Sequence, residues 1–193
     1  MGTSLMDADW CVELAADDPA LEFPWSSPDG SQYYVDLATT PEAIDQISEA
    51  REFPAIRDSL TRLNGNDSLW ITAKCGAWLD DEPSESNEIC GGTVRMCSYM
   101  DIVRRDSSQR FSFELHEEWA RSLAARLRIL PGDAAVCELI VRRCYFHFAN
   151  QVSSDSAPGF FISTYVFGYG NDAQRATSRW TEGLTQVSSV LLK

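Results

Sequence analysis

The segment VCELIVRRCYFHF, residues 136–148, decides the fold class of this chain. It is rich in β-branched and aromatic residues, and this composition predicts a β-strand. Residues 160–169 predict a partner strand. The stretch 172–192 then predicts a closing amphipathic helix, with Ala176 and Trp180 on its apolar face. The two strands and the helix form one predicted hairpin-helix unit.

The same order of elements occurs earlier in the chain. Residues 69–79 and 92–103 predict a hairpin, and residues 113–130 predict an amphipathic helix after it. A short strand at residues 33–37 and a helix that begins at Pro41 precede this unit. Hairpins lack βαβ crossovers, so this order predicts an α+β fold. We expect a mainly antiparallel sheet built from two hairpin-helix units, with the helices packed on one face.

Charge is distributed unevenly along the chain. Residues 1–50 hold 11 of the 29 acidic residues and none of the 16 basic ones, and the net charge is −13. Proline residues interrupt residues 1–30, which predict an irregular acidic N-terminal arm that wraps onto the body. Residues 31–193 predict a single α+β domain.

The same charge distribution excludes several classes of function. Lys and Arg form no cluster, so we expect no binding to nucleic acid or to anionic membrane surfaces. No apolar run approaches the roughly 20 residues of a membrane-spanning helix. Residues 1–9 lack the basic residue and the apolar run of a signal peptide, so we expect a cytoplasmic protein.

The sequence gives no indication of a metal or a cofactor. Its six cysteines are Cys11, Cys75, Cys90, Cys97, Cys137 and Cys144. In a reducing compartment we expect them to be thiols that mostly pack as small hydrophobes. The pairs 90/97 and 137/144 are seven residues apart, which places their side chains on opposite faces of a strand. The G-x-G-x-x-A pattern at residues 168–173 lacks the βαβ context of a dinucleotide site.

Side-chain alternation along the four long strands predicts two different faces of the sheet. The set expected to meet the helices is Ile71, Cys75, Leu79, Cys137, Leu139, Val141, Ile162 and Val166. The other face combines aromatic side chains with isolated charges, as small-molecule pockets do. Its candidate binding residues are Trp70, Lys74, Trp78, Arg95, Tyr99, Glu138, Arg142, Phe146, Tyr165 and Phe167.

Other interpretations of this face remain open. Its composition also fits a homodimer or partner interface, because aromatic residues and Arg are enriched in interfaces. Aromatic cross-strand pairs stabilise any antiparallel sheet. The arm could also cover the face through Trp10 and Trp25.

Three functions are consistent with these features. The first is a non-enzymatic cytosolic binding protein that holds a small ligand on the aromatic face. The second is an acidic protein-interaction factor, an inhibitor or immunity-type protein, that masks a basic partner. The third is an enzyme in which Glu138 is a general base and Tyr165 donates a proton. Lys74, Arg95 or Arg142 would stabilise an anion there. Because the sequence carries no catalytic signature, the first hypothesis is favoured and the second is the alternative.

Overall fold

The computed structural model describes residues 5–82, 90, 92–131, 135–147 and 156–193. Its strands are β1 (Asp7–Glu13), β2 (Leu21–Phe23), β3 (Trp70–Asp80), β4 (Val94–Arg104), β5 (Ala135–His147) and β6 (Ser156–Gly170). Its α-helices are α1 (Ser48–Glu52), α2 (Pro54–Asn64), α3 (Phe113–Leu127) and α4 (Ala173–Leu191). Short 3₁₀ helices lie at Pro41–Gln46 and Ser107–Gln109. The α+β class is confirmed. Phe148, predicted to end β5, lies outside the described residues.

Local sequence explains where the helices begin. The Ser112 side chain accepts a hydrogen bond from the backbone N–H of Leu115 at the start of α3. Asp172 accepts one from the N–H of Arg175 at the start of α4. Pro41 opens the first 3₁₀ helix, where its missing N–H removes no helical hydrogen bond. These caps satisfy backbone donors that have no partner within the helix.

The six strands form one mixed sheet in the order β1-β5-β6-β4-β3, and β2 also pairs with β5. Neighbours in the series β5, β6, β4 and β3 are antiparallel, whereas β1 and β2 run parallel to β5. β3 is therefore an edge strand. Among the described residues, no helix has the length and apolar character needed to cross a membrane.

The main hydrophobic core lies between the helices and one face of the sheet. The sheet contributes five side chains that alternation predicted for this face: Cys137, Leu139, Val141, Ile162 and Val166. The helices contribute Ile56, Leu60, Leu63, Leu123, Leu127, Trp180, Leu184 and Val187. Cys75 packs against this core, but Leu79 is 47% exposed near the end of β3. Each fully buried large apolar side chain stabilises the fold by about 1.5–3 kcal/mol.

A second hydrophobic cluster lies on the opposite face of the sheet. Its buried members are Leu21, Phe23, Ile71, Ala73, Val103, Cys144, Phe146 and Phe161. Trp25 and Tyr34 pack against it from the segment that follows β2. Residues 21–38 thus cover one end of the face that the sequence left open. Trp25 packs on this face, whereas Trp10 packs against the main core.

A β-bulge in β3 reverses the faces of its first residues. The pairing of β3 with β4 shifts between Thr72 and Lys74. Trp70 therefore packs against Trp119 in the main core, with ring centroids 5.5 Å apart. Ile71 lies in the second cluster instead. The faces predicted for Trp70 and Ile71 are wrong, because strict alternation cannot anticipate an inserted residue.

The N-terminal arm contains two strands that the sequence did not predict. β1 pairs with β5 over its whole length, and Met6 and Ala8 are buried in the main core. A parallel partner lies far away along the chain, so no local turn signal marks such a strand. The strand predicted at residues 33–37 is reduced to an isolated bridge between Ser26 and Tyr33.

Candidate functional site

Eight of the ten predicted binding residues lie on the sheet face opposite the helices and outside the second cluster. They are Lys74, Trp78, Arg95, Tyr99, Glu138, Arg142, Tyr165 and Phe167, and we call this region the open face. Trp70 faces the helices. Phe146 is only 1% exposed, and the rings of Phe23 and Phe111 pack against it. Neither Trp70 nor Phe146 is available to a ligand.

A row of aromatic rings crosses the open face. Tyr99 on β4 is the cross-strand partner of Tyr165 on β6, and their ring centroids lie 5.9 Å apart. Phe167 stacks on Tyr165 at 6.1 Å with an interplanar angle of 8°. Trp78 approaches Tyr99 at 6.4 Å and is 42% exposed. The row is a partly exposed apolar surface that begins at the edge strand.

Arg95 is already engaged within the chain. It lies opposite Asp80 in the β3–β4 pair, and its guanidinium contacts the Asp80 carboxylate at 2.6–2.7 Å. The guanidinium also lies 6.0 Å from the centre of the Phe167 ring. Arg95 therefore stabilises the hairpin as a cross-strand ion pair.

Arg142 joins the arm to the centre of the sheet. Its guanidinium contacts the Glu13 carboxylate of β1 at 2.6–2.8 Å and donates to the hydroxyls of Ser163 and Tyr165. Its side chain is 11% exposed. These contacts occupy the guanidinium, so we assign Arg142 a structural role.

Asp101 lies at the buried centre of this network. It accepts a 2.6 Å hydrogen bond from the Ser163 hydroxyl. Its backbone lies opposite that of Lys74 in the β3–β4 register. Burial raises the pKa of the Asp101 carboxyl to about 6, although Ser163 and the positive charges of Arg142 and Lys74 act in the opposite direction. The protein thus holds a carboxylate where its charged form is disfavoured.

The arrangement around Glu138 does not support the enzyme hypothesis. Glu138 is exposed and makes no hydrogen bond to a described residue. Partial burial and the carboxylates of Asp9 and Asp7 raise its pKa. Its proposed helpers Arg95 and Arg142 are committed to other carboxylates. The described residues therefore give Glu138 no bound partner that would orient it as a general base.

A cleft of about 440 Å³ lies at the edge of the sheet, beside β3. One wall is formed by residues 72–76 of β3 together with Tyr99, and the other by the segments 31–35 and 46–49. Trp25 closes one end, where its indole N–H donates to the carbonyl of Ala73 at 2.6 Å. We call this space the β3 cleft. Its volume lies in the range of small-molecule sites.

Tyr99 connects the β3 cleft to the open face. Its ring lies over Gly76, its cross-strand partner, and a Cβ on Gly76 would come within 2.5 Å of the Tyr99 ring. The glycine therefore lets the aromatic ring lie flat against β3, where it lines the cleft and also contacts Tyr165 and Trp78.

Two charged side chains line the β3 cleft from opposite walls. Lys74 extends from β3, and its ammonium lies 5.1 Å from the centre of the Trp25 ring. Glu49 extends from α1 and accepts a 2.8 Å hydrogen bond from Ser48. Burial and the nearby Glu49 carboxylate raise the pKa of the Cys75 thiol to about 12, so this cysteine is a neutral part of the wall. Neither Lys74 nor Glu49 forms an ion pair with a described residue.

Lys74 and Tyr99 were predicted as binding residues. Trp25 was expected only as a possible cover of the face, and Glu49 was not predicted. Trp25 and Glu49 line the β3 cleft because the chain folds so that residues 25–49 lie beside β3. The aromatic residue in the proline-rich arm was the available signal, since a tryptophan of this kind usually has a docking site. No comparable signal marks Glu49, which is one of several carboxylates in that part of the sequence.

Comparisons with protein-family models, with curated proteins and with solved structures found no match to this chain. Among the described residues, no group of three or more His, Cys, Asp or Glu side chains is arranged to hold a metal ion.

Proposed function

We propose that this protein is a non-enzymatic binding protein and that the β3 cleft, with Lys74 and Tyr99, holds a small molecule. The observation that carries the proposal is the cleft itself, which combines aromatic surface from Trp25 and Tyr99 with two opposed charges. Concave sites with apolar walls and a few polar groups are typical of ligand binding. The open face continues from Tyr99, whose ring contacts Trp78 and Tyr165 there.

The alternative of an acidic interaction factor has less support. Two carboxylates of the arm are ion-paired within the chain, Glu13 with Arg142 and Asp9 with Arg128. A third, Glu22, contacts a ring nitrogen of His147. These pairs reduce the negative surface that a basic partner would meet. The binding of a small molecule therefore remains the proposed function.

The test is native mass spectrometry of the purified protein, followed by a variant that fills the cleft. We expect a reproducible extra mass on the wild type and its loss from Ser48→Trp, because Ser48 is an exposed residue at the cleft wall. Ser122→Trp adds the same bulk at an exposed position on α3 and should retain the mass. A ligand-free wild type, or equal retention in both variants, would contradict the proposal.

A further inference from the structure

The β3 cleft has an unusual charge balance for so acidic a protein. The net charge of the chain is −13, yet the cleft is lined by one cationic residue, Lys74, and one anionic residue, Glu49. The other lining residues are uncharged, and they include the aromatic side chains of Trp25 and Tyr99. The two charges stand on opposite walls, more than 4.0 Å from any oppositely charged group among the described residues.

We infer that the ligand is a small zwitterion with an aromatic group, as an aromatic amino acid is. Its carboxylate would bind the Lys74 ammonium, its ammonium would bind the Glu49 carboxylate, and its ring would lie between Trp25 and Tyr99. This inference rests on the proposed function and adds the chemical class of the ligand.

Ligands of other charge fit the cleft less well. A simple anion would bind the Lys74 ammonium but would be repelled by the Glu49 carboxylate. A second carboxylate, that of Asp101, belongs to the residue opposite Lys74 on β4. A simple cation would gain Glu49 but would face Lys74. A zwitterion satisfies both walls and leaves neither charge desolvated without a partner.

The position of the Glu49 carboxylate is supported by its effect on two residues of the opposite wall. Burial is the main cause of the raised pKa values of Cys75 and Tyr99, and the negative charge of Glu49 contributes to both. Glu49, Cys75 and Tyr99 all line the same cleft. Lys74, for its part, keeps its ammonium beside Trp25 at the end of the cleft.

Three related probes separate the two charges. Phenylalanine carries both groups, phenethylamine lacks the carboxylate, and 3-phenylpropanoate lacks the ammonium. We expect isothermal titration calorimetry to show phenylalanine binding at least about 10-fold more tightly than either analogue, because a hydrogen bond to a charged group contributes that much. Equal or tighter binding of an analogue would overturn the inference.

Two charge-removing variants assign each contact. Glu49→Gln should weaken phenylalanine at least about 10-fold. It should strengthen 3-phenylpropanoate, because the anion no longer faces a carboxylate. Lys74→Gln should weaken phenylalanine at least about 10-fold. It should strengthen phenethylamine, because the cation no longer faces an ammonium. The matched controls are Glu52→Gln, on the same helix but outside the cleft lining, and Lys193→Gln. Both controls should bind phenylalanine as the wild type does.

The outcomes separate this inference from the proposed function. If the wild type retains an extra mass that Ser48→Trp loses, while phenylalanine does not bind or binds without dependence on Glu49 and Lys74, the ligand class is wrong and the binding site stands. If Ser48→Trp changes nothing and no probe binds, both are wrong. Selective loss in the two charge variants supports both.

Discussion

At the scale of single residues, Asp101 couples the stability of the fold to pH. Its pKa is about 6 in the folded protein against an ordinary value of 3.8, because the carboxyl is buried. The folded chain therefore binds the proton more tightly than the unfolded chain between these two values. The stabilisation from the protonated group is fully present below about pH 4 and is lost as the pH rises through about 6.

We expect Asp101→Asn to remove this dependence. Asn can still accept the hydrogen bond from Ser163 but carries no charge at any pH. Between pH 5 and pH 8 the free energy of unfolding of the wild type should fall by about 1 kcal/mol more than that of the variant, as measured by urea unfolding. The exposed Asp58 provides the control, as Asp58→Asn should parallel the wild type across this range. Parallel curves for Asp101→Asn would show that Asp101 is not protonated in the folded protein at pH 5.

At the scale of elements, the contact between α4 and β6 depends on a glycine. A Cβ on Gly168 would lie 2.2 Å from the backbone nitrogen of Trp180 and 2.4 Å from the carbonyl oxygen of Ala176. Both are backbone atoms of a regular helix, so neither can move aside alone. The strand and the helix approach more closely here than any side chain permits.

Gly168→Ala should therefore push α4 away from the sheet. We expect a loss of about 3 kcal/mol in the free energy of unfolding, at the upper end of overpacking effects, measured by denaturant titration. Gly65→Ala serves for comparison, because its nearest atom outside the adjacent residues is the Arg62 carbonyl oxygen at 3.3 Å and its φ is −60°. An equal effect at both positions would refute the close contact.

The long strands show how far alternation predicts side-chain position. In β5 and β6 the pairing is regular, and Cys137, Leu139 and Val166 face the helices as predicted. In β3 the pairing shifts at the bulge, so Trp70 and Ile71 exchange faces. Periodicity in the sequence reports the strand but not an extra residue within it, since a bulge depends on how the partner strand is bent.

At the scale of the whole molecule, the arm is part of the same sheet as the rest of the chain. A domain boundary at residue 30 remains a prediction, and deletion of residues 1–30 tests it. Because β1, β2 and Trp25 would be lost, we expect the truncated chain to lose at least about 3 kcal/mol of stability through apolar burial alone and to lose one end of the β3 cleft. Urea unfolding at the wild-type midpoint would instead support an independent domain at 31–193.

The candidate site residues could be predicted from sequence only where no distant part of the chain buries them or forms an ion pair with them. Lys74 and Tyr99 were found because both belong to regular strands whose exposed face can be read from the sequence. Arg142 and Phe146 were assigned to a binding face, but Glu13 and Phe23 from the arm contact them. Those contacts join residues more than 120 positions apart, and a single sequence contains no local signal for them.

The parallel pairing of β1 with β5 has a consequence for synthesis on the ribosome. Asp7 pairs with Val136, so 129 residues must be added before the first strand can meet its partner. At roughly 5–20 residues per second this interval lasts roughly 6–26 s. During this time the apolar residues of β1 have no sheet to join. β1 can therefore join the sheet only once β5 has been synthesised.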